Sequence, residues 1–174
     1  MKKCLLILLV YFLILSASGC AVKGNAHSEF VEDRIEISQR PAYFLGTYVP
    51  KEMLLEAISE DRSSKVYVHK DGDYEMIIDV FSANTLDTAL SKVTGREKNS
   101  LQFLSLDHYP IDEYRYAWSA LSEQGEQTCC GSLFYDGTHY YALSIHCVAE
   151  KEKEYRELFS HILETASLQA NETP

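Results

Sequence analysis

The sequence has 174 residues, with 26 acids against 16 bases and a formal charge of −10. That length holds one domain of ordinary size, and the composition excludes collagen, low-complexity disorder and a multi-span membrane protein. The acid excess excludes a nucleic-acid binder, because phosphate recognition needs a basic face. In chain order, Lys2 and Lys3 make a short positive start, and Cys4 to Leu15 is an unbroken apolar run. A helix needs about 20 residues to cross about 30 Å of hydrocarbon, so this run is too short. Its length, its flanks and the small residues Ser16, Ala17, Ser18 and Gly19 before Cys20 fit an export signal.

Two readings compete for Cys20. In one it is incidental to an ordinary secretory signal. In the other, Ala17-Ser18-Gly19-Cys20 resembles the lipobox of bacterial lipoproteins, with Ala17 where Leu is common. The lipobox resemblance implies a diacylglyceryl group on the Cys20 sulfur, cleavage between Gly19 and Cys20, and acyl chains such as palmitate on the new N-terminus. Each buried lipid CH₂ contributes about 0.8 kcal/mol, so two or three chains anchor stably where one does not. Loss of Lys2 and Lys3 takes the formal charge to −12. Anionic headgroups repel such a body, so it is expected to stand off the membrane on a tether. The expected organisation is a signal peptide over 1–19, a lipidated Cys and flexible tether over 20–34, one α+β domain over 35–170 and a tail over 171–174.

Within the mature chain, Arg34 to Ser38 alternates around Ile35 and Ile37. Ala42 to Val49 reads as a strand that Pro50 ends. Lys51 to Ser64 is ambiguous between a short helix and an irregular covering segment. Lys65 to Ser82 reads as a hairpin turning at Asp71-Gly72-Asp73. Thr85 to Thr94 reads as a helix capped by Asn84 or Thr85 and stopped by Gly95, with Leu86, Ala89, Leu90 and Val93 at helical spacing. Leu101 to Leu106 is a strand candidate, and Tyr109-Pro110 breaks it. Glu113 to Ser122 alternates, with Tyr114, Tyr116, Trp118 and Ala120 on one face. Gln127 to Tyr135 and His139 to Val148 form a second hairpin around Asp136-Gly137. A helix from about Glu150 to Leu168 presents Tyr155, Leu158, Phe159, Ile162, Leu163 and Ala166 as one stripe. Strands with segregated helices imply an α+β fold with a largely antiparallel sheet. Ile77 and Phe81 oppose Met76, Ile78 and Val80, which implies helices on both faces.

From Ala42 to Leu168 this order resembles the PsbP/DcrB-like α/β/α sandwich. The likeness lies in a first strand ending at Tyr48-Val49-Pro50, the strand–helix stretch YEMIIDVFSANTLDTALSKV, and Tyr141 to Ile145 ahead of the last helix. It implies a binding or assembly module and carries over no functional residue.

Cys129, Cys130 and Cys147 are the sharpest chemical feature of the body. A two-residue turn at Asp136-Gly137 sets Cys130 and Cys147 roughly 13 Å apart at about 3.3 Å per residue, beyond a disulfide's reach of about 7 Å between Cα atoms. A longer loop pairing Tyr135 with Tyr140 sets Cys130 against Ile145, diagonal to Cys147. A Cys130–Cys147 bridge, a vicinal Cys129–Cys130 bridge and buried free thiols all stay open. No C-x-x-C supplies a redox centre. His146 and Cys147 point to opposite faces of a strand, which argues against a metal site. Asp107-His108 accompanies no G-x-S-x-G, H-E-x-x-H or P-loop motif. The tyrosines read either as sheet packing or as an aromatic patch for a partner.

The expectation is therefore a non-catalytic envelope lipoprotein on the extracytoplasmic side of a bacterial membrane, with no catalytic residue, metal or cofactor. Its partners would be the membrane through the lipid anchor and an envelope protein or small ligand, not nucleic acid. The alternatives are a thiol, redox or hydrolytic envelope enzyme and a small-ligand or toxin-neutralising binder.

Overall fold

Two glycines in the left-handed region shape the hairpins, Gly72 at φ 74° and Gly137 at φ 97°. The structure is a computed structural model and describes residues 41–106, 111–123 and 125–171. Gly19, Cys20, the expected tether, the Arg34–Ser38 stretch, Asp107-His108 and Tyr109-Pro110 lie outside the described residues. The strands are β1 Tyr43–Gly46, β2 Met53–Ile58, β3 Ser64–His69, β4 Tyr74–Phe81, β5 Gln102–Leu106, β6 Asp112–Ser122, β7 Gly125–Tyr135, β8 Tyr140–Val148 and β9 Ser167–Ala170. The helices are α1 Leu86–Thr94 and α2 Glu152–Thr165. Strands β2 to β8 form one antiparallel sheet of order β2-β3-β4-β8-β7-β6-β5, and β1 pairs with β9 in a separate ribbon. The fold is α+β.

Alternation along the central strands feeds two cores. On one face Tyr74, Met76, Leu143, Ile145 and Cys147 pack under Phe159 and Ile162 of α2. On the other, Tyr116, Trp118, Cys129, Leu133 and Ala142 pack under Ala89 and Leu90 of α1. Helix α1 starts where the Thr85 hydroxyl accepts the Thr88 N–H at 3.1 Å and stops at Gly95, whose N–H reaches the Ser91 carbonyl at 2.8 Å. No helix among the described residues is long and apolar enough to cross a membrane.

Two expectations need correction. Residues 51–64 hold neither a helix nor an irregular cover, but strand β2, with a register shift between Leu55 and Ala57. The run MLLEAI has no clear period, and pairing with β3 decides its conformation. The final helix stops at Thr165 and not at Leu168. The Thr165 hydroxyl bonds the His161 and Ile162 carbonyls at 2.9 and 3.1 Å, and Thr47 takes the Ile162 carbonyl at 2.8 Å. Ala166 is then extended, and Leu168 pairs with Leu45.

The β7–β8 hairpin adopts the longer loop, with Tyr135 opposite Tyr140. Asp136 builds it. Its carboxylate accepts the N–H groups of Thr138 and His139 at 2.8 and 2.7 Å and the Tyr141 hydroxyl at 2.6 Å.

Candidate functional site

The register lays one continuous row across the sheet on the α1 side. Leu54 stands opposite Val68, Val68 opposite Glu75, Glu75 opposite His146, His146 opposite Cys129, and Cys129 opposite Trp118. Helix α1 has nine residues, about 14 Å at 1.5 Å per residue, while seven strands about 4.8 Å apart span about 29 Å. It packs on the Trp118–Cys129 end of the row. Among the described residues the Leu54–His146 end carries no helix, and a recess of about 340 Å³ opens there, lined by Glu56, Val68, Asp73, Glu75, Gln127 and His146.

A close His146–Glu75 contact holds the floor of this recess. His146 Nδ1 lies 2.9 Å from Glu75 Oε1. The hydrogen bond from His146 outweighs burial and keeps the Glu75 carboxyl below its ordinary value. The His146 ring meets Trp118 edge to face at 5.4 Å, and its Nε2 is buried without a hydrogen-bond partner. Asp73, at the rim, takes the Tyr155 hydroxyl at 2.6 Å, and this bond holds its carboxyl low. The arrangement offers carboxylates and an amide to a ligand with hydrogen-bond donors or positive charge.

Among the described residues the α2 side also opens, beside β5 and β6. A groove of about 390 Å³ runs there between Leu106, Ile111, Phe134 and Leu168. Arg115 lines it and donates to Glu113 at 3.0 Å.

The three cysteines are free thiols. Cys130 faces α2 opposite Ile145, diagonal to Cys147 on the same side, while Cys129 faces α1. Burial pushes the Cys129 thiol up to about 12 and those of Cys130 and Cys147 up to about 11. Thiols held this high are protonated near neutrality, the reverse of an activated nucleophile. Among the described residues, no three His, Cys, Asp or Glu side chains stand where they could hold a metal.

Several tyrosines singled out by the sequence are packing groups. Tyr116 is buried and crosses Gly131 to reach the Ser144 hydroxyl at 3.1 Å. Tyr135 and Tyr140 stack at 4.5 Å beside the turn. Sequence reasoning missed Glu75, Glu56 and Gln127. A signal for Glu75 was present: Glu75 and Asp79 interrupt one face of the otherwise apolar strand YEMIIDVF, which a fully covered face would not tolerate.

No family model matches the sequence, and no curated protein matches it. Its fold is shared by solved structures, two of them as follows. Cyanobacterial PsbP (CyanoP) from Synechocystis sp. PCC 6803 superposes with a TM-score of 0.54 at 9% identity, over 72% of this chain and 86% of that one. LpqN of Mycobacterium tuberculosis, described as involved in cell envelope biogenesis, superposes with a TM-score of 0.50 at 10% identity, over 75% and 87% of the two chains. The chain thus has a PsbP-like fold, an antiparallel sheet between helices with a long helix near its C-terminus.

Proposed function

We propose that this chain is a non-catalytic binding or assembly module of a bacterial cell envelope, held on the extracytoplasmic side of a membrane by acyl chains on Cys20. The observation that carries the binding role is the open half of the α1 face, where the Glu75–His146 pair floors a solvent-reached recess. The motif Ala17-Ser18-Gly19-Cys20 supports the anchor. The raised thiols count against a redox enzyme. Sharing a fold with LpqN, an envelope biogenesis protein by its description, agrees with the compartment.

A small-ligand reading stands beside the protein-partner one, because the recess of about 340 Å³ lies within the ~300–1,000 Å³ typical of ligand sites. Palmitate labelling and membrane fractionation of the wild type and Cys20→Ala test the anchor. Label is expected on the wild type alone, and label persisting on Cys20→Ala overturns the anchor. A photo-crosslinking residue at Gln127 tests the recess in cells. A discrete protein adduct, absent when the probe sits at Glu157 on exposed α2 surface, supports a protein partner. A cross-linked small molecule assigns the ligand reading, and no adduct of either kind overturns the binding role. Ellman's reagent at pH 8 is expected to react with the three body thiols only after unfolding, and rapid reaction in the native state would revive the redox reading.

A further inference from the structure

Strand β2 is an edge of the seven-stranded sheet, and its outer side has no strand partner among the described residues. Only Met53 of its residues is buried. Leu54, Leu55 and Ile58 are 62%, 50% and 50% exposed, an apolar load that a soluble edge strand does not ordinarily leave to water.

The backbone direction follows from the ends of the strand. The Glu52 carbonyl accepts the Lys70 N–H at 3.0 Å, and the Ser59 N–H reaches the Ser64 carbonyl at 3.0 Å. Bonded and non-bonded pairs alternate in an antiparallel ladder. Counting inward from both ends, Leu54 and Ala57 turn toward β3, with the register shift between Leu55 and Ala57 absorbing the odd residue. Leu55 and Ile58 therefore turn their N–H and C=O groups away from the sheet. They form the template that strand addition uses.

Charge narrows the choice of occupant. Glu52, Glu56 and Glu60 are exposed along this edge, and none is ion-paired among the described residues. A second copy is a poor complement. Antiparallel self-pairing centred on Leu55 sets Leu54 against Glu56 and Ile58 against Glu52, and it brings together two chains of formal charge −10.

We infer that β2 is a docking edge for an extended segment of a partner protein in which apolar residues alternate with lysine or arginine. The segment adds as a strand, bonding the outward groups of Leu55 and Ile58. Its apolar side chains cover Leu55 and Ile58 on the α2 side, and its cations, on the opposite face, meet Glu52 and Glu56 beside Leu54. This inference rests on the binding-module reading and specifies its partner.

The test is fluorescence anisotropy of the mature chain with a labelled, glycine-capped peptide alternating valine and lysine. Binding is expected to fall steeply with added salt. It should be lost when glutamate replaces the lysines. Leu55→Pro is expected to fold, because the N–H it removes points out of the sheet, and to weaken binding by roughly tenfold or more. Should that variant lose its native circular dichroism, Glu56→Lys combined with Ile58→Lys tests the same edge by side chain alone. Equal binding of the lysine and glutamate peptides, or unchanged binding by a folded edge variant, overturns the inference. A concentration-dependent dimer abolished by the edge variants assigns β2 to a second copy and also overturns it. If the Gln127 cross-link to a protein survives in the edge variant, this inference fails while the binding-module reading stands.

Discussion

Residues 53–58 (MLLEAI) and 140–145 (YYALSI) look alike on paper, each with five apolar residues and one polar residue. In the fold all six residues of the second run are buried, and only Met53 of the first is. The difference is one of position. Strand β8 lies between β4 and β7 with packed cores on both faces, while β2, among the described residues, has β3 alone beside it. The polar residues show the same contrast. Ser144 is buried and needs the Tyr116 hydroxyl at 3.1 Å, whereas Glu56 stands in solvent and needs no partner. Apolar content makes a strand, and its neighbours decide whether that content is core or contact surface.

Chemical denaturation can break or sharpen this contrast. The largest effect is expected at the centre, where Leu143→Ala should cost about 2–5 kcal/mol by opening a cavity between β8 and α2. A small loss there would mean that the α2 core repacks freely. Next, Asp136→Ala should cost about 2–3 kcal/mol, because it strips the turn of a charged acceptor and leaves the Tyr141 hydroxyl unpaired.

This second effect carries a pH signature. Burial pushes the Asp136 carboxyl up, but the bonds from Tyr141, His139 and Thr138 outweigh it and hold the folded value below the ordinary one. A lowered folded value means stability that is present above the unfolded carboxyl, near ~3.9, and lost as pH falls through the folded value. The wild type should therefore lose stability more steeply than Asp136→Ala on acidification below about pH 4. Parallel curves would show that Asp136 is not ionised in its turn.

Gly131→Ala should cost about 1–3 kcal/mol. A Cβ there would meet the Tyr116 hydroxyl at 2.7 Å and the Leu143 carbonyl. A neutral result would show that Tyr116 can leave Ser144. The smallest effect is expected at the edge, where Leu54→Ser should stay within about 0.5 kcal/mol. A loss matching Leu143→Ala would show that the outer side of β2 is already covered in the free protein.

Much of the fold was legible locally. Asp71-Gly72-Asp73 and Asp136-Gly137 set both hairpins, Thr85 and Gly95 bound α1, and alternation in β4 and β6 assigned their faces. These signals act between residues no more than a few positions apart, so the chain states them outright. The end of the last helix was not legible, because it depends on Thr47 reaching the Ile162 carbonyl 115 positions away and on Leu168 finding Leu45. The candidate site was hidden for the same reason. Glu75 and His146 meet only because β4 pairs with β8, and among the described residues the recess above them opens where a nine-residue helix falls short of the sheet it covers. Sequence alone determined most of the strands and helices, β2 and β9 excepted, and which sides of them are apolar. Tertiary structure decided which apolar sides stay open, since coverage depends on the relative lengths and placement of elements that no local pattern encodes.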